Sequence, residues 1–88
     1  MKVGFKNSFL KAVSKIPDKQ LKLKIATVIE DAEKAESLNE IKNLIKLKGY
    51  SDYFRIRLGQ YRIGLKLEND VFFFVAFAHR KDIYKTFP

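Results

Sequence analysis

The sequence contains no cysteine, which excludes disulfide bonds and thiolate metal sites as sources of stability. Histidine is nearly absent as well: His79 is the only one, and the carboxylates are scattered, so the pattern predicts no metal site. The longest apolar run, Val71–Ala78, falls far short of the roughly 20 residues that a membrane-spanning helix needs. The N-terminus also lacks the apolar run of a signal peptide. We therefore expect a soluble, cytoplasmic protein that works without a membrane, a metal or a small-molecule cofactor.

Acidic residues are in the minority, and the 18 Lys and Arg against 10 Asp and Glu give a formal charge of +8. Such a charge predicts an acidic partner, which could be nucleic acid, an anionic membrane or an acidic protein. Every arginine lies in the second half of the chain, and arginine suits bidentate recognition of phosphate. Neither a phosphate-binding glycine loop nor a Ser-His-Asp triad is present, so any chemistry must come from Arg, Lys, His and Tyr.

Hydrophobic periodicity predicts a small α+β fold, and the length suggests that residues 1–88 form a single domain. An N-terminal strand precedes a first helix, for which Ser8 is the expected N-cap. Pro17 ends that helix, and Asp18 is placed to cap a second, amphipathic helix of about 18 residues. Residues 37–47 are predicted to form a short helix that runs into a strand. The helical hairpin should pack on an antiparallel sheet of about four strands, followed by a short C-terminal helix or tail.

The most informative stretch alternates with period two on both sides of Gly59-Gln60, as two half-buried strands joined by a tight turn do. A Gly-X pair suits a two-residue type II′ loop, which sets the register of the strands. This register places Arg57 opposite Arg62 on one face, with Arg55 beside them. Like charges facing each other across strands cost up to about 1 kcal/mol. The cluster is therefore either an anion site or a solvated basic face.

The last predicted strand is apolar on both faces, as a central strand covered on both sides would be. With a two-residue loop at Asn69-Asp70, Ile63 is expected to face Ala76, and His79 to emerge on the face that carries Arg62. Three apolar side chains would then line the arginine face and need cover: Phe73, Val75 and Phe77. That cover could come from a partner protein, from stacked bases or from three tail residues: Ile83, Tyr84 and Phe87.

Taken together, the order of the elements and four segments resemble the RelE/ParE toxin superfamily over nearly the whole chain. The segments are Leu47-Lys48-Gly49-Tyr50, Tyr53-Phe54-Arg55-Ile56-Arg57, Tyr61-Arg62-Ile63 and His79-Arg80-Lys81-Asp82-Ile83-Tyr84. The resemblance implies the toxin of a type II toxin–antitoxin pair. Its RelE branch implies a metal-independent endoribonuclease that cuts mRNA in the ribosomal A site. Its ParE branch implies a gyrase poison without nuclease activity.

Metal-free cleavage by the ribose 2′-OH needs a base, cations for the charge at phosphorus and an acid for the departing 5′-oxygen. By resemblance, Arg62 and Arg80 stabilise the phosphate, and Arg80 also assists the leaving group. Arg55 and Arg57 stand where the RelE branch often has lysine. Because arginine is not deprotonated in proteins, we expect these two to bind phosphate and not to accept a proton.

His79 is the candidate for proton transfer as base and acid, because imidazole titrates near neutral pH. The alternative is a strand-end histidine bonded to the backbone. Tyr84 matches the tyrosine that stacks on or positions a base in the family, and its alternative is a packing role on the tail. Lys46 and Lys48 are expected to extend the basic track toward RNA, or simply to face solvent. Lys81 is placed on the same RNA-binding track.

The leading hypothesis is a ribosome-dependent mRNA interferase. Its partners would be the 70S ribosome with mRNA and a cognate acidic antitoxin. One alternative is a ParE-like toxin that inhibits gyrase and needs no proton-transfer groups. The other is a non-catalytic member that binds RNA or an antitoxin, which would bind RNA with a strong salt dependence and cleave nothing.

Overall fold

The computed structural model describes all 88 residues, and its regular elements are five strands, three α-helices and one 3-10 helix. The 3-10 helix, Leu38–Glu40, is the short helix predicted to run into a strand. In chain order the strands and α-helices are β1 (Lys2–Phe5), α1 (Asn7–Ser14), α2 (Lys19–Lys34), β2 (Leu44–Lys46), β3 (Tyr53–Leu58), β4 (Tyr61–Glu68), β5 (Val71–His79) and α3 (Ile83–Thr86). The strands form one sheet in the order β1-β5-β4-β3-β2, with β1 parallel to β5 and all other neighbours antiparallel. The predicted α+β class is confirmed, and the sheet has one strand more than the expected four.

The two long helices begin differently from each other. The Asp18 carboxylate accepts hydrogen bonds from the backbone N–H groups of Gln20 and Leu21, so this predicted N-cap of α2 is confirmed. The N-cap of α1 is Lys6, not Ser8 as expected. Ser8 instead donates its hydroxyl to the backbone carbonyl of Val75 in β5. No helix is both long and apolar enough to cross a membrane.

The hairpin of β3 and β4 has the predicted register. Arg57 pairs with Arg62, and Arg55 pairs with Gly64. Gly59 has a φ of +59°, which is the left-handed conformation that the first position of a type II′ loop requires. The hairpin therefore has a basic face, here called the arginine face, defined by Arg55, Arg57 and Arg62. The opposite, inner face is covered by the helices.

The pairing of β4 with β5 departs from the expected register halfway along. Leu65 pairs with Phe74 as expected, but Gly64 then pairs with Ala76, so Val75 is an extra residue in a β-bulge. A bulge leaves backbone groups without a partner in the sheet, and the hydroxyl of Ser8 satisfies the Val75 carbonyl. The bulge shifts every residue after Val75 to the other face of the sheet.

This shift corrects two predictions about β5. Ile63 faces Phe77, not Ala76, so Phe77 belongs to the core and is only 9% exposed. His79 pairs with Tyr61, and it therefore starts on the inner face and not beside the arginines. Arg62 faces the small side chain of Ala78, which leaves open space over this part of the arginine face.

The core lies between the helices and the inner face of the sheet. Its largest fully buried side chains come from α1, α2 and the three long strands: Phe9, Ile25, Ile56, Ile63, Leu65, Phe72 and Phe74. Phe9 and Phe74 pack with ring centroids 5.4 Å apart, which ties α1 to β5. Together these contacts hold the register of β3, β4 and β5, of which the first two carry the arginines.

The C-terminal segment covers part of the arginine face. Phe87 is 3% exposed, and its ring lies 2.8 Å from the position that a Cβ atom on Gly64 would occupy. Ile83 is fully buried but lies outside the main core cluster. Tyr84 is 54% exposed. The expectation that tail residues cover this face is therefore confirmed for Ile83 and Phe87, whereas Tyr84 faces solvent.

We expect Gly64→Ala to lower the free energy of unfolding by about 1–3 kcal/mol, because the added methyl group overlaps the Phe87 ring. Urea denaturation measures the loss. In a Phe87→Ala background the same substitution should cost less, since the ring that it meets is gone. An equal cost in both backgrounds would show that the clash is not with Phe87.

Candidate nucleic-acid interface

Three guanidinium groups lie together at the centre of the arginine face. Arg55 and Arg57 come from β3, and Arg62 is directly opposite Arg57 on β4. With Asn43 and Ile45, they line a shallow pocket of about 210 Å³. The period-two alternation of the hairpin is what directs all three side chains to one face.

The arginines have no acidic partner in the chain. All three ion pairs of the structure are formed by lysines: Lys6 with Glu68, Lys66 with Glu68, and Lys85 with Asp82. Partial burial lowers the pKa of Arg62 below its ordinary value, and the charges of Arg55, Arg57 and Arg80 lower it further. The backbone N–H of Arg80 donates to the carbonyl of Gln60 in the hairpin loop, which brings Arg80 near Arg62. An uncompensated cluster of four positive groups has the charge that suits an anion.

The side chain of Arg62 is held by the hairpin turn. Its Nη1 donates hydrogen bonds to the backbone carbonyls of Gly59 and Tyr61, at 3.0 and 2.9 Å. Arg55 differs, because its Nη1 is buried without any hydrogen-bond partner. An unpaired buried donor costs free energy in the unliganded protein. Arg62 is therefore held in place in the unliganded protein, whereas Arg55 has a buried N–H group that a bound anion would satisfy.

His79 lies at the end of β5 in an aromatic setting. Its ring meets the edge of Tyr61, with centroids 5.7 Å apart, and Tyr61 stacks on Phe77 at 5.1 Å. The Nδ1 atom of His79 accepts a hydrogen bond from the backbone N–H of Lys81, at 3.2 Å. In neutral imidazole this assigns the proton to Nε2, so His79 as placed can donate a hydrogen bond from that atom.

The turn after β5 places the next two candidates. The backbone N–H of Arg80 donates to the carbonyl of Gln60, at 2.8 Å, which joins this turn to the loop of the hairpin. Tyr84 in α3 is close enough to Arg62 that its phenol acts on the pKa of that arginine, in the raising direction. The structure thus brings Arg80 and Tyr84 to the arginine face, as the resemblance implied.

The three candidate lysines are not equivalent. Lys46 pairs with Phe54, a core residue, so its side chain starts from the side of the sheet away from the arginines. Lys48 is exposed and lines a second pocket together with Tyr84. Lys81 is exposed on the turn beside His79. Lys48 therefore lies next to the predicted site residue Tyr84, and Lys81 lies next to His79, whereas Lys46 starts on the other side of the sheet.

Two residues of the arginine pocket were missed in the sequence. Ile45 pairs with Arg55 across β2 and β3, and Asn43 precedes β2 with a φ of 62°. Asparagine adopts this left-handed conformation more readily than most residues do. An asparagine in front of a short apolar run was therefore the one available signal for a turn here, and it did not by itself indicate proximity to the arginines.

Comparison with known proteins gives consistent results at the level of sequence and fold. No protein-family model matches the chain. Toxin RelE3 of Methanocaldococcus jannaschii is 40% identical over 89 residues, with both chains covered completely. In the crystal structure of the RelB-RelE antitoxin-toxin complex from Methanococcus jannaschii, a chain with 37% identity gives a TM-score of 0.78, and 97% of this chain and 99% of that chain are covered. The RelE-RelB complex of Pyrococcus horikoshii OT3 shares the fold, with a TM-score of 0.72 at 24% identity and coverage of 90% and 93%.

We expect Arg57→Gln to raise the free energy of unfolding by about 0.5 kcal/mol at low salt, because it removes a like charge directly opposite Arg62. The gain should fade in 1 M NaCl, where the Debye length falls to about 3 Å. Urea denaturation at both salt concentrations measures it. Lys22→Gln, on an exposed position of α2, removes the same charge away from the cluster and should give no comparable gain. A loss of stability in Arg57→Gln would mean that Arg57 and Arg62 do not repel each other in the folded protein.

Proposed function

This chain belongs to the RelE toxin family, whose members are the toxins of RelBE-type toxin–antitoxin systems, and from that premise we propose that it is a metal-independent endoribonuclease that cleaves mRNA on the ribosome. The observation that carries this proposal is the cluster of Arg55, Arg57, Arg62 and Arg80, which has no carboxylate partner in the chain. A cluster of this kind suits the negative charge of an RNA phosphate in the transition state of cleavage.

The reaction would proceed by attack of the ribose 2′-oxygen on the adjacent phosphorus. The new P–O2′ bond forms while the P–O5′ bond breaks, which leaves a 2′,3′-cyclic phosphate and a free 5′-hydroxyl. The 2′-hydroxyl loses its proton to solvent water, and the departing 5′-oxygen gains a proton from the protein. Extra negative charge accumulates on the phosphate oxygens between these events. Arg62, fixed by the turn carbonyls of Gly59 and Tyr61, is placed to stabilise that charge together with Arg80.

The remaining candidates take roles that their placement allows. Arg55 and Arg57 hold the phosphates of the strand and are not the base, since guanidinium keeps its proton. His79 is the proposed proton donor to the 5′-oxygen. The acid is its imidazolium form, which gives up the proton on Nε2 and in which Nδ1 is protonated and loses its hydrogen bond from the N–H of Lys81. Because His79 starts on the inner face at the end of β5, this role requires the 5′-oxygen to lie at that end of the strand. Tyr84, half exposed beside the arginine face, offers its ring to a base of the substrate.

The partners follow from the same proposal. The formal charge of +8 supports binding to ribosomal RNA and mRNA and equally supports neutralisation by an acidic antitoxin. The related chains from two archaea were crystallised as complexes of RelE with RelB. We therefore propose a cognate antitoxin that binds this chain, and a cytoplasmic site of action where ribosomes translate.

We expect Arg62→Ala and Arg80→Ala each to lower the rate of mRNA cleavage by about 10²–10³-fold, because each removes a donor that stabilises transition-state charge. The measurement uses purified ribosomes programmed with mRNA, and the 5′ ends of the fragments are mapped. Lys22→Ala, an equally cationic position on α2, is the matched control and should cleave like the unmodified protein.

Two outcomes would contradict the proposal. Intact mRNA after induction of the unmodified protein, with a DNA-damage response, would indicate a gyrase target of the ParE type. Full cleavage by both arginine variants would mean that the reaction takes place elsewhere on the molecule. Circular dichroism on each variant confirms that loss of activity is not loss of fold.

A separate test isolates the proton that His79 donates. We expect His79→Gln to slow cleavage by about 10²-fold, the lower end of the range for a general acid. Replacement of the 5′-oxygen by sulfur provides a leaving group that departs without protonation, so the variant should then cleave nearly as fast as the unmodified protein. If the sulfur substrate rescues Arg80→Ala and leaves His79→Gln slow, the leaving 5′-oxygen is assisted by the Arg80 guanidinium and not by His79.

A further inference from the structure

A second pocket lies beside the arginine face. It has a volume of about 310 Å³ and is lined by Leu47, Lys48, Tyr50, Tyr84, Phe87 and Pro88. Its floor is apolar, because Phe87 is buried there with only 3% of its surface exposed. Its two walls are the rings of Tyr50 and Tyr84, which are 48% and 54% exposed. Exposed aromatic rings are normal when single, but two that border one pocket form a surface suited to a flat ligand.

Tyr50 is the first of three aromatic side chains in contact, Tyr50, Tyr53 and Phe87, here called the aromatic relay. Its ring meets Tyr53 edge to face, with centroids 5.7 Å apart and an interplanar angle of 83°. Tyr53 in turn meets Phe87 in the same way, at 5.6 Å and 77°. Because Phe87 packs on Gly64 in β4, the relay ties the pocket wall to the strand that carries Arg62. The Tyr50 ring is therefore connected to β4 through two aromatic contacts.

The pocket carries a positive side chain, which favours a ligand with negative charge. Lys48 carries the only charged side chain in the lining. Phe87, which lines the pocket, packs on Gly64, and Gly64 pairs with Arg55, so the pocket and the arginine face adjoin. A ligand that spans both must combine a flat aromatic group with an anionic backbone. Single-stranded RNA has that combination in every nucleotide.

Resting on the proposed endoribonuclease function, we infer that the pocket between Tyr50 and Tyr84 holds one nucleobase of the RNA strand, with Lys48 on a flanking phosphate. Tyr50 is thus a positioning residue: it fixes a base next to the arginines and takes no part in the bond changes. Stacking accepts every base, so the pocket sets where the strand lies and not which sequence is cut.

The test measures binding of a short single-stranded oligoribonucleotide whose scissile nucleotide lacks the 2′-hydroxyl, so that it cannot be cleaved. We expect Tyr50→Ala to weaken binding by about tenfold, as the loss of one stacked base does. Tyr50→Phe keeps the ring and should bind within about twofold of the unmodified protein. Tyr50→Leu keeps apolar bulk without a flat ring and should be as weak as Tyr50→Ala. Leu23→Ala, on a residue of α2 that is 62% exposed, should bind normally.

Two further readouts separate stacking from a general loss of structure. Tyr50→Ala should leave the salt dependence of binding unchanged, whereas Lys48→Gln should reduce the logarithmic slope by about 0.7, the value for one phosphate contact on a single strand. Replacing one nucleotide at a time with an abasic residue should reveal one position at which Tyr50→Ala no longer weakens binding. At that position the base that Tyr50 contacts is already missing.

The outcomes distinguish this inference from the proposed function. If the unmodified protein binds the oligonucleotide through Tyr50 but cleaves no mRNA on ribosomes, the cleavage proposal fails and the pocket stands. If the protein cleaves mRNA and Tyr50→Ala binds and cleaves like it, the pocket assignment fails alone. If Tyr50→Ala weakens binding of the cognate antitoxin and leaves RNA binding unchanged, the two tyrosines form a protein contact and the inference is overturned.

Discussion

The placement of Arg57 directly across from Arg62 is the constraint on which the rest of the structure depends. Two guanidinium groups in register repel each other by up to about 1 kcal/mol. The same register buries Ile56 and Ile63 on the inner face, where each is worth about 1.5–3 kcal/mol. A slip of one residue would relieve the repulsion but turn both isoleucines to the outside. The core thus outweighs the repulsion and holds the arginines together.

The C-terminal segment depends on the same sheet. Gly64 has no side chain, and the ring of Phe87 occupies the space directly above it. This close packing brings α3 across the arginine face and sets Tyr84 beside Arg62. The backbone hydrogen bond from Arg80 to Gln60 anchors the start of the segment at the hairpin loop. Residues far apart in the chain therefore meet at one site because a glycine in β4 admits an aromatic ring.

The parts of the fold that local turn chemistry determines could be predicted from the sequence. Gly59 supplies the positive φ of the hairpin loop, and Asn69 and Asp70 both adopt positive φ in the next turn, so the strand ends and the first pairings follow. The parallel pairing of β1 with β5 could not be predicted, because no turn connects strands so distant in sequence.

The bulge at Val75 could not be predicted from the sequence either. For that reason the expected register placed His79 on the wrong face of the sheet. In a strand with alternating apolar and polar residues, one extra residue would break the pattern visibly. The sequence Phe72-Phe73-Phe74-Val75-Ala76-Phe77 is apolar throughout, so both registers bury apolar side chains and the pattern cannot choose between them. A tertiary contact accompanies the bulge, the hydroxyl of Ser8 on the Val75 carbonyl, which the sequence alone does not reveal. The arginine cluster was predictable because it depends on the pairing of β3 with β4, which does not involve β5.

In the proposed complex with RNA, charge attraction and base stacking have different effects on binding. Phosphates repeat along a strand, so a row of arginines attracts RNA strongly but cannot define which phosphate lies over Arg62. A base held between two rings can define it, because one base in a pocket sets the position of the phosphates next to it. The aromatic relay from Tyr50 through Tyr53 to Phe87 joins that pocket to the strand that bears Arg62. The tyrosines would therefore set which nucleotide lies at the site, and the arginines would stabilise the charge of the transition state.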